Sequence, residues 1–162
     1  MYHNFRQRLR NLEPLIGTMV TLDTPATAEI LAELGYDWFF VDGEHGPLEA
    51  SELLGILRAV DHKVPCVVRV PAAEETPIKK VLDVGAAGVI VPMVNTAEQA
   101  ANVVKFSRYA PAGSRGVGLA RAHGYGLSFS EYVESANDTV AVIVQAEHID
   151  AVNNIEQIVQ VE

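Results

Sequence analysis

Five short apolar runs, each followed by a helical pattern, constrain this chain more than any other feature. The runs cover residues 15–20, 38–41, 66–70, 89–91 and 140–144. They are nearly continuous in Val, Ile, Leu and Phe and do not alternate with polar residues. Strands buried on both faces read this way, as in parallel sheets covered by helices. Between the runs, Thr24-Pro25 offers a cap and first-turn proline for a helix over 26–34, which Gly35 ends. Pro47 opens a second helical segment, to about Val60, with Leu48, Leu53, Leu54, Leu57 and Val60 at helical spacing. Thr76-Pro77 starts a third, with Ile78, Val81 and Leu82 on one face and Gly85 as its stop. Asn95 or Thr96 caps a fourth over 97–106, and Ile149, Val152, Ile155, Ile158 and Val159 mark a last helix. The order is a βα unit repeated five times after a short basic N-terminal helix.

Repeated βα units build either a doubly wound sheet or a (β/α)8 barrel. A dinucleotide-binding sheet needs a glycine-rich first turn, and here that turn is Thr21-Leu22-Asp23-Thr24-Pro25. Gly116-Val117-Gly118 lacks a third glycine and falls in a long connection. Polar residues gather just after the apolar runs: Asp42, Glu44 and His45; Arg69; Asn95; Gln145, Glu147 and His148. Barrel enzymes place catalytic groups at such strand ends, so the barrel is the favoured fold. Eight strands and about 250 residues make a typical barrel, and this 162-residue chain supplies five. The expectation is one partial barrel domain over 1–162, with an open five-stranded α/β domain as the alternative. Unpaired edges on such a piece would favour oligomerisation, swapping or aggregation over an active monomer.

Charge and composition exclude several function classes. Lys plus Arg is 12 and Asp plus Glu is 21, a net charge of −9. That sign argues against nonspecific binding to nucleic acid or anionic membranes. Cys66 is the single cysteine, so neither an internal disulfide nor a Cys-based zinc site is available. It lies in Val64-Pro65-Cys66-Val67-Val68 and reads as a buried thiol. Residues 1–10 carry three Arg without an apolar core, unlike a signal peptide, and no apolar run approaches a membrane span. The expected location is the cytoplasm, where the sequon Asn137-Asp138-Thr139 carries no meaning.

Asp42-Gly43-Glu44-His45-Gly46-Pro47 follows a buried run directly. The glycines let the backbone turn sharply and approach a ligand. A histidine beside carboxylates is a natural general base, its tautomer and basicity set by the carboxylate. The plainer reading is a polar loop in which Asp42 or Glu44 caps the next helix. Arg69 sits inside an apolar strand, where arginine is rare unless paired. Its guanidinium suits a carboxylate or enolate oxygen, and an ion pair with Asp42 or Glu44 is a compatible structural reading. Glu147 could ligate a metal at a strand end, or sit as a favourable carboxylate at a helix N-terminus. His148 reads as an exposed loop residue, and His3, His62 and His123 as surface residues. Residues 115–126, with Arg115 and Arg121, read either as an anion-binding loop or as a flexible one.

Taken together, these residues resemble the HpcH/HpaI aldolase family, the metal-dependent class II aldolases of 2-keto-3-deoxy acids, over its N-terminal two thirds. The matching segments are Gly17-Thr18, Trp38-Phe39-Phe40-Val41-Asp42-Gly43-Glu44-His45-Gly46, Val68-Arg69-Val70-Pro71, Leu82-Asp83-Val84-Gly85-Ala86, Ile90-Val91-Pro92-Met93-Val94, Arg108-Tyr109-Ala110-Pro111, Gly113-Ser114-Arg115-Gly116 and Gln145-Ala146-Glu147. The resemblance implies a (β/α)8 barrel in a homo-oligomer, often a hexamer. It implies His45 as acid/base, Asp42 and Asp83 as orienting carboxylates, and Arg69 on the keto oxygen of pyruvate. Gln145 would position metal-bound groups, and Glu147 would bind a divalent metal, Mg or Mn, with Co a further option. The implied reaction is retro-aldol cleavage of a 4-hydroxy-2-keto acid to pyruvate and an aldehyde. A related acyl-CoA lyase of citrate lyase type and a catalytically silent half-barrel are the alternatives. Lys63, Lys79, Lys80 and Lys105 fall on helices or helix ends, which favours the metal route over a lysine imine.

Overall fold

A computed structural model describes residues 5–162; His3 lies outside them. A helix α1 (Phe5–Arg10) precedes β1 (Gly17–Val20), α2 (Pro25–Ala32), β2 (Trp38–Asp42), α3 (Ala50–Val60), β3 (Cys66–Arg69), α4 (Glu75–Asp83), β4 (Gly88–Val91) and α5 (Ala97–Ser107). Then come a kinked turn at Arg121–Gly126, α6 (Phe129–Thr139), β5 (Ala141–Val144), α7 (Ile149–Asn153) and α8 (Ile155–Ile158). The five strands are parallel, and their spatial order β1-β2-β3-β4-β5 is their chain order. A doubly wound sheet reverses direction at a switch point. An unreversed run of βα units is the wall of a barrel, so the barrel expectation holds and the doubly wound one does not.

The alternation of side chains along each strand divides the interior into two layers. Val20, Phe39, Val41, Val68, Val89 and Val91 face the helices and pack with Ile56, Leu57, Ile78 and Leu82. Burial of each such side chain contributes about 1.5–3 kcal/mol. The opposite face carries Val67, Ile90 and Ala141, with Trp38, Phe40 and Ile143 partly covered. Phe5 of α1 packs into this face, its ring 5.8 Å from that of Trp38. Cys66 is buried as expected, and burial pushes its thiol up, away from the reactive thiolate form. Among the described residues no helix is long and apolar enough to cross a membrane.

Helix boundaries follow local chemistry. Thr96 accepts a hydrogen bond from Gln99 N at 3.1 Å and caps α5. Gly85 ends α4 with φ +103°, a conformation that L side chains rarely adopt. The last helix is broken into α7 and α8 at Asn154, whose Nδ2 donates to Asn95 O at 2.9 Å.

Two expectations are corrected between β4 and β5. This connection also contains α6, a helix that the sequence pattern does not announce. His123, expected at the surface, is 1% exposed. Its Nδ1 accepts from Gly126 N at 3.0 Å, and its Nε2 lies 2.8 Å from Gly118 O. The histidine staples its own turn. The arginines of this segment are each engaged by a carboxylate. Arg115 pairs with Asp83 at 2.8 Å and Arg121 with Asp61 at 2.6 Å.

Candidate active site

The site is built at the C-terminal ends of the strands. The parallel register sets Asp42 directly beside Arg69. Arg69 donates from Nε to Asp42 Oδ1 at 2.9 Å and from Nη2 to Asp42 Oδ2 at 2.7 Å. This is the two-bond fork that holds both groups rigid. Both side chains are largely buried, at 11% and 3% exposure. Phe40 lies beneath the guanidinium, its ring centroid 5.1 Å from Cζ. Nη1 makes no hydrogen bond to protein among the described residues.

Asp42 also shapes the loop that follows it. Its Oδ1 accepts from Glu44 N at 3.1 Å and from His45 N at 3.2 Å. Such an Asx turn folds the chain back over the strand end. Gly43 N donates to Arg69 O at 2.9 Å, and a Cβ on Gly43 would stand 2.7 Å from that oxygen. Glycine is therefore required here for backbone contact with β3. Burial raises the Asp42 carboxyl, but hydrogen bonds from Arg69, His45 and Glu44 outweigh it and hold it below the ordinary range. Hydrogen bonding to Asp42 holds the Arg69 guanidinium up against burial, with Glu44 and Glu147 adding to the effect.

Glu44 and His45 complete this side. Glu44 Oε2 lies 3.1 Å from Arg69 Nε and 3.8 Å from His45 Nε2. The His45 side chain is 75% exposed. A cleft of about 660 Å³ opens beside Glu44 and Arg69, between the starts of α3 and α4. Lys80, Glu49 and Glu74 also line it.

On the β4–β5 side, Gln145 N donates to Val91 O at 2.9 Å. Glu147 Oε1 accepts from Met93 N at 2.9 Å, and Gln145 Nε2 lies 3.5 Å from Glu147 Oε2. Met93 holds a positive φ of 55° where it presents this N–H. Gln145 Oε1 is buried and has no hydrogen-bond donor. Glu147 thus bridges to the β4 loop. His148 is exposed and caps α7, accepting from Asp150 N at 3.2 Å.

The structure brings together Asp42, Glu44, His45 and Arg69, and the charge of Glu147 reaches Arg69. It does not bring Asp83 to them within this chain. Asp83 is the last residue of α4, which runs back from the end of β3 to the start of β4. It therefore lies on the opposite rim, paired with Arg115. Asp42 accepts from the His45 backbone N–H and makes no hydrogen bond to its imidazole among the described residues. Neither Asp42 nor Glu44 caps the next helix; Glu49 stands at that position, with its N–H bonded to Glu52 at 3.1 Å.

Among the described residues, no group of three or more His, Cys, Asp and Glu side chains forms a ready cation cage. Gln145 and Glu147 offer oxygen donors, the type a hard cation takes. Mg²⁺ commonly binds one or two carboxylates and completes its shell with water and substrate oxygens. The donorless, buried Gln145 Oε1 fits that use.

Similarity to known proteins follows the same residues. The chain is 46% identical over 162 residues to a 4-hydroxy-2-oxovalerate aldolase of Novosphingobium aromaticivorans, covering 99% of this chain and 62% of that one. It is 42% identical over 161 residues to a hydroxypyruvate/pyruvate aldolase of Cupriavidus necator, covering 98% and 60%. The crystal structure of an HpcH/HpaI aldolase/citrate lyase family protein from Burkholderia cenocepacia superposes with a TM-score of 0.91 at 38% identity, over 96% of this chain and 64% of that one. The chain spans about three fifths of the length of these curated relatives. The family model described as HpcH/HpaI aldolase/citrate lyase matches residues 15–162, from just before β1 through the whole five-unit wall and its polar rim, and the chain belongs to that family.

Proposed function

We propose that this chain carries the keto-acid end of the active site of a carbon–carbon lyase. The enzyme cleaves 4-hydroxy-2-keto acids to pyruvate and an aldehyde with the help of a divalent metal, Mg or Mn. The observation that carries the reading is the Arg69 fork. Asp42 fixes the guanidinium and leaves Nη1 as the open donor, on the same rim as the exposed imidazole of His45.

The chain's residues divide the work. Arg69 Nη1 donates to the keto oxygen of the substrate. As the C3–C4 bond breaks, its electron pair flows into the pyruvate enolate and negative charge grows on that oxygen. A donor already fixed there stabilises the transition state more than the ground state. His45 accepts the C4 hydroxyl proton as the aldehyde forms. Glu147 and Gln145 would hold the metal, which when bound supplies Lewis-acid polarisation of the keto acid. In this reading residues 1–162 are five units of a barrel domain, and the working enzyme is a homo-oligomer. Its partner is a small keto acid, not nucleic acid or membrane.

The direct test is chelation. Removing divalent metal suppresses pyruvate release from a 4-hydroxy-2-keto acid, and Mg or Mn restores it. Borohydride trapping of a pyruvate imine would defeat this reading, and Lys80, which lines the cleft, is the lysine to examine.

Arg69→Lys gives a second expectation. Lysine keeps the charge but has no fork. It cannot hold both Asp42 oxygens and still present a third donor. Turnover falls at least about tenfold, roughly 1.4 kcal/mol in the barrier. Steady-state kinetics beside a thermal melt check it. Normal turnover with a lowered Tm would leave Arg69 a purely structural ion-pair partner.

A further inference from the structure

We propose that a one-residue bulge at the end of β4, formed by Pro92 and Met93, takes the Met93 N–H out of the sheet and fixes Glu147 with it. The proposal rests on the reading of Glu147 as a metal-binding carboxylate given above, and makes Met93 its positioning residue.

The bulge follows from the register. Val91 lies opposite Val144, so residue 92 falls opposite Gln145. In a parallel pair, a residue bonds the two residues that flank its opposite number. Gln145 N donates to Val91 O at 2.9 Å, as that pattern requires. The regular donor to Gln145 O is then Met93 N. The donor is instead Val94 N, at 3.2 Å. The β4 side has therefore taken in one extra residue. Pro92 has no N–H to offer the ladder and suits such a place. Bulges beside active sites re-aim groups that the ladder would otherwise hold. Here the group released is the Met93 N–H, which donates to Glu147 Oε1 at 2.9 Å.

Packing of the Met93 side chain does not account for its backbone. Its φ is +55°, in a region that residues other than Gly, Asn and Asp rarely occupy. Of the three non-glycine residues with positive φ among the described residues, Met93 alone stands at the C-terminal end of a strand. It is 47% exposed, while Val91 and Val94 are fully buried. These two valines are both bonded to Gln145 and clamp the bulge from either end.

The consequence is a fixed carboxylate. Glu147 is exposed, and an exposed glutamate is free to turn through several rotamers. A clamped backbone N–H cannot swing away as a side-chain donor can. With Oε1 held by Met93, Oε2 is the oxygen left beside Gln145, whose Nε2 lies 3.5 Å from it. A mere tie between two loops would contribute stability alone. A positioning bond contributes metal affinity, and the two are measured separately.

The test is deletion of Met93 in the intact protein. Val94 then takes the regular ladder position, so the sheet keeps its bond to Gln145 while Glu147 loses its donor. Calorimetric titration with Mg²⁺ and with Mn²⁺ is expected to show affinity reduced about 10–100-fold, the usual effect of removing a group that orients a metal ligand. The melting temperature changes little. Unchanged affinity in the folded deletion variant, with binding abolished by Glu147→Ala, overturns the proposal and keeps Glu147 as a ligand. If the deletion variant does not fold, amide hydrogen exchange at Met93 decides, metal-free wild type against Glu147→Ala. This N–H lies outside the ladder on a half-exposed residue, so its protection depends on Glu147 and is lost in Glu147→Ala. Equal exchange in the two proteins overturns the proposal. A wild type that binds neither metal, yet protects the Met93 amide through Glu147, would sustain the bulge as the anchor of that carboxylate and remove the metal reading.

Discussion

His45→Ala lowers turnover by about 10²–10⁴-fold, the range for losing a positioned acid/base group, while metal affinity and fold stay unchanged. Each part of that outcome follows from the geometry. Asp42 holds residue 45 through its backbone N–H, which alanine retains. The side chain removed is 75% exposed, and exposed substitutions usually stay within about 0.5 kcal/mol. The oxygens assigned to the metal belong to Gln145 and Glu147, on the β5 side of the rim. Turnover, a calorimetric metal titration and a thermal melt on the same variant separate the three effects. Loss of metal binding in His45→Ala would make the imidazole a ligand and remove it from proton transfer.

The sheet was legible because its strands are buried on both faces. A run such as Trp38-Phe39-Phe40-Val41 has no polar residue to interrupt it, and five such runs at βα spacing leave few folds open. The strand-end rule then pointed to Asp42, His45, Arg69 and Glu147. The pattern offered Asp42 or Glu44 as an ion-pair partner for Arg69 but could not choose between them. Asp42 and Arg69 are 27 positions apart and meet only through register. Within this chain α4 carries Asp83 to the other rim, where it pairs with Arg115. His123 was missed because its partners are backbone atoms of its own turn, which no side-chain pattern announces. The helix α6 was missed because its apolar face, Tyr132, Val133 and Ala136, is thin among Ser, Glu, Asn and Asp. Glu44 was visible as a residue, but its buried Oε2 without a hydrogen bond appears only in three dimensions.

Asp83→Ala lowers the unfolding free energy by about 3 kcal/mol, and adding Arg115→Met recovers most of the loss. The Arg115 side chain has no exposure, against 30% for Asp83. Its guanidinium is sandwiched, with Cζ 4.5 Å from the Tyr109 ring and 5.7 Å from that of Tyr132. Nη2 bonds Asp83 and Nη1 reaches Tyr132 Oη at 3.3 Å, while Nε is buried without a partner. Removing Asp83 strands a cation that cannot reach water, which costs about 3–5 kcal/mol for a buried pair. The partial exposure of Asp83 puts this case at the low end. Replacing the arginine as well removes the stranded charge. A methionine fills a similar volume and meets the same two rings through sulfur. At about 2–4 °C per kcal/mol for a chain of this size, Asp83→Ala melts roughly 6–12 °C below wild type, and the double variant returns close to it. Calorimetric melts of the wild type, both single variants and the double variant measure the coupling. A wild-type melt for Asp83→Ala, or strictly additive losses in the double variant, would show that the pair does not hold this rim together.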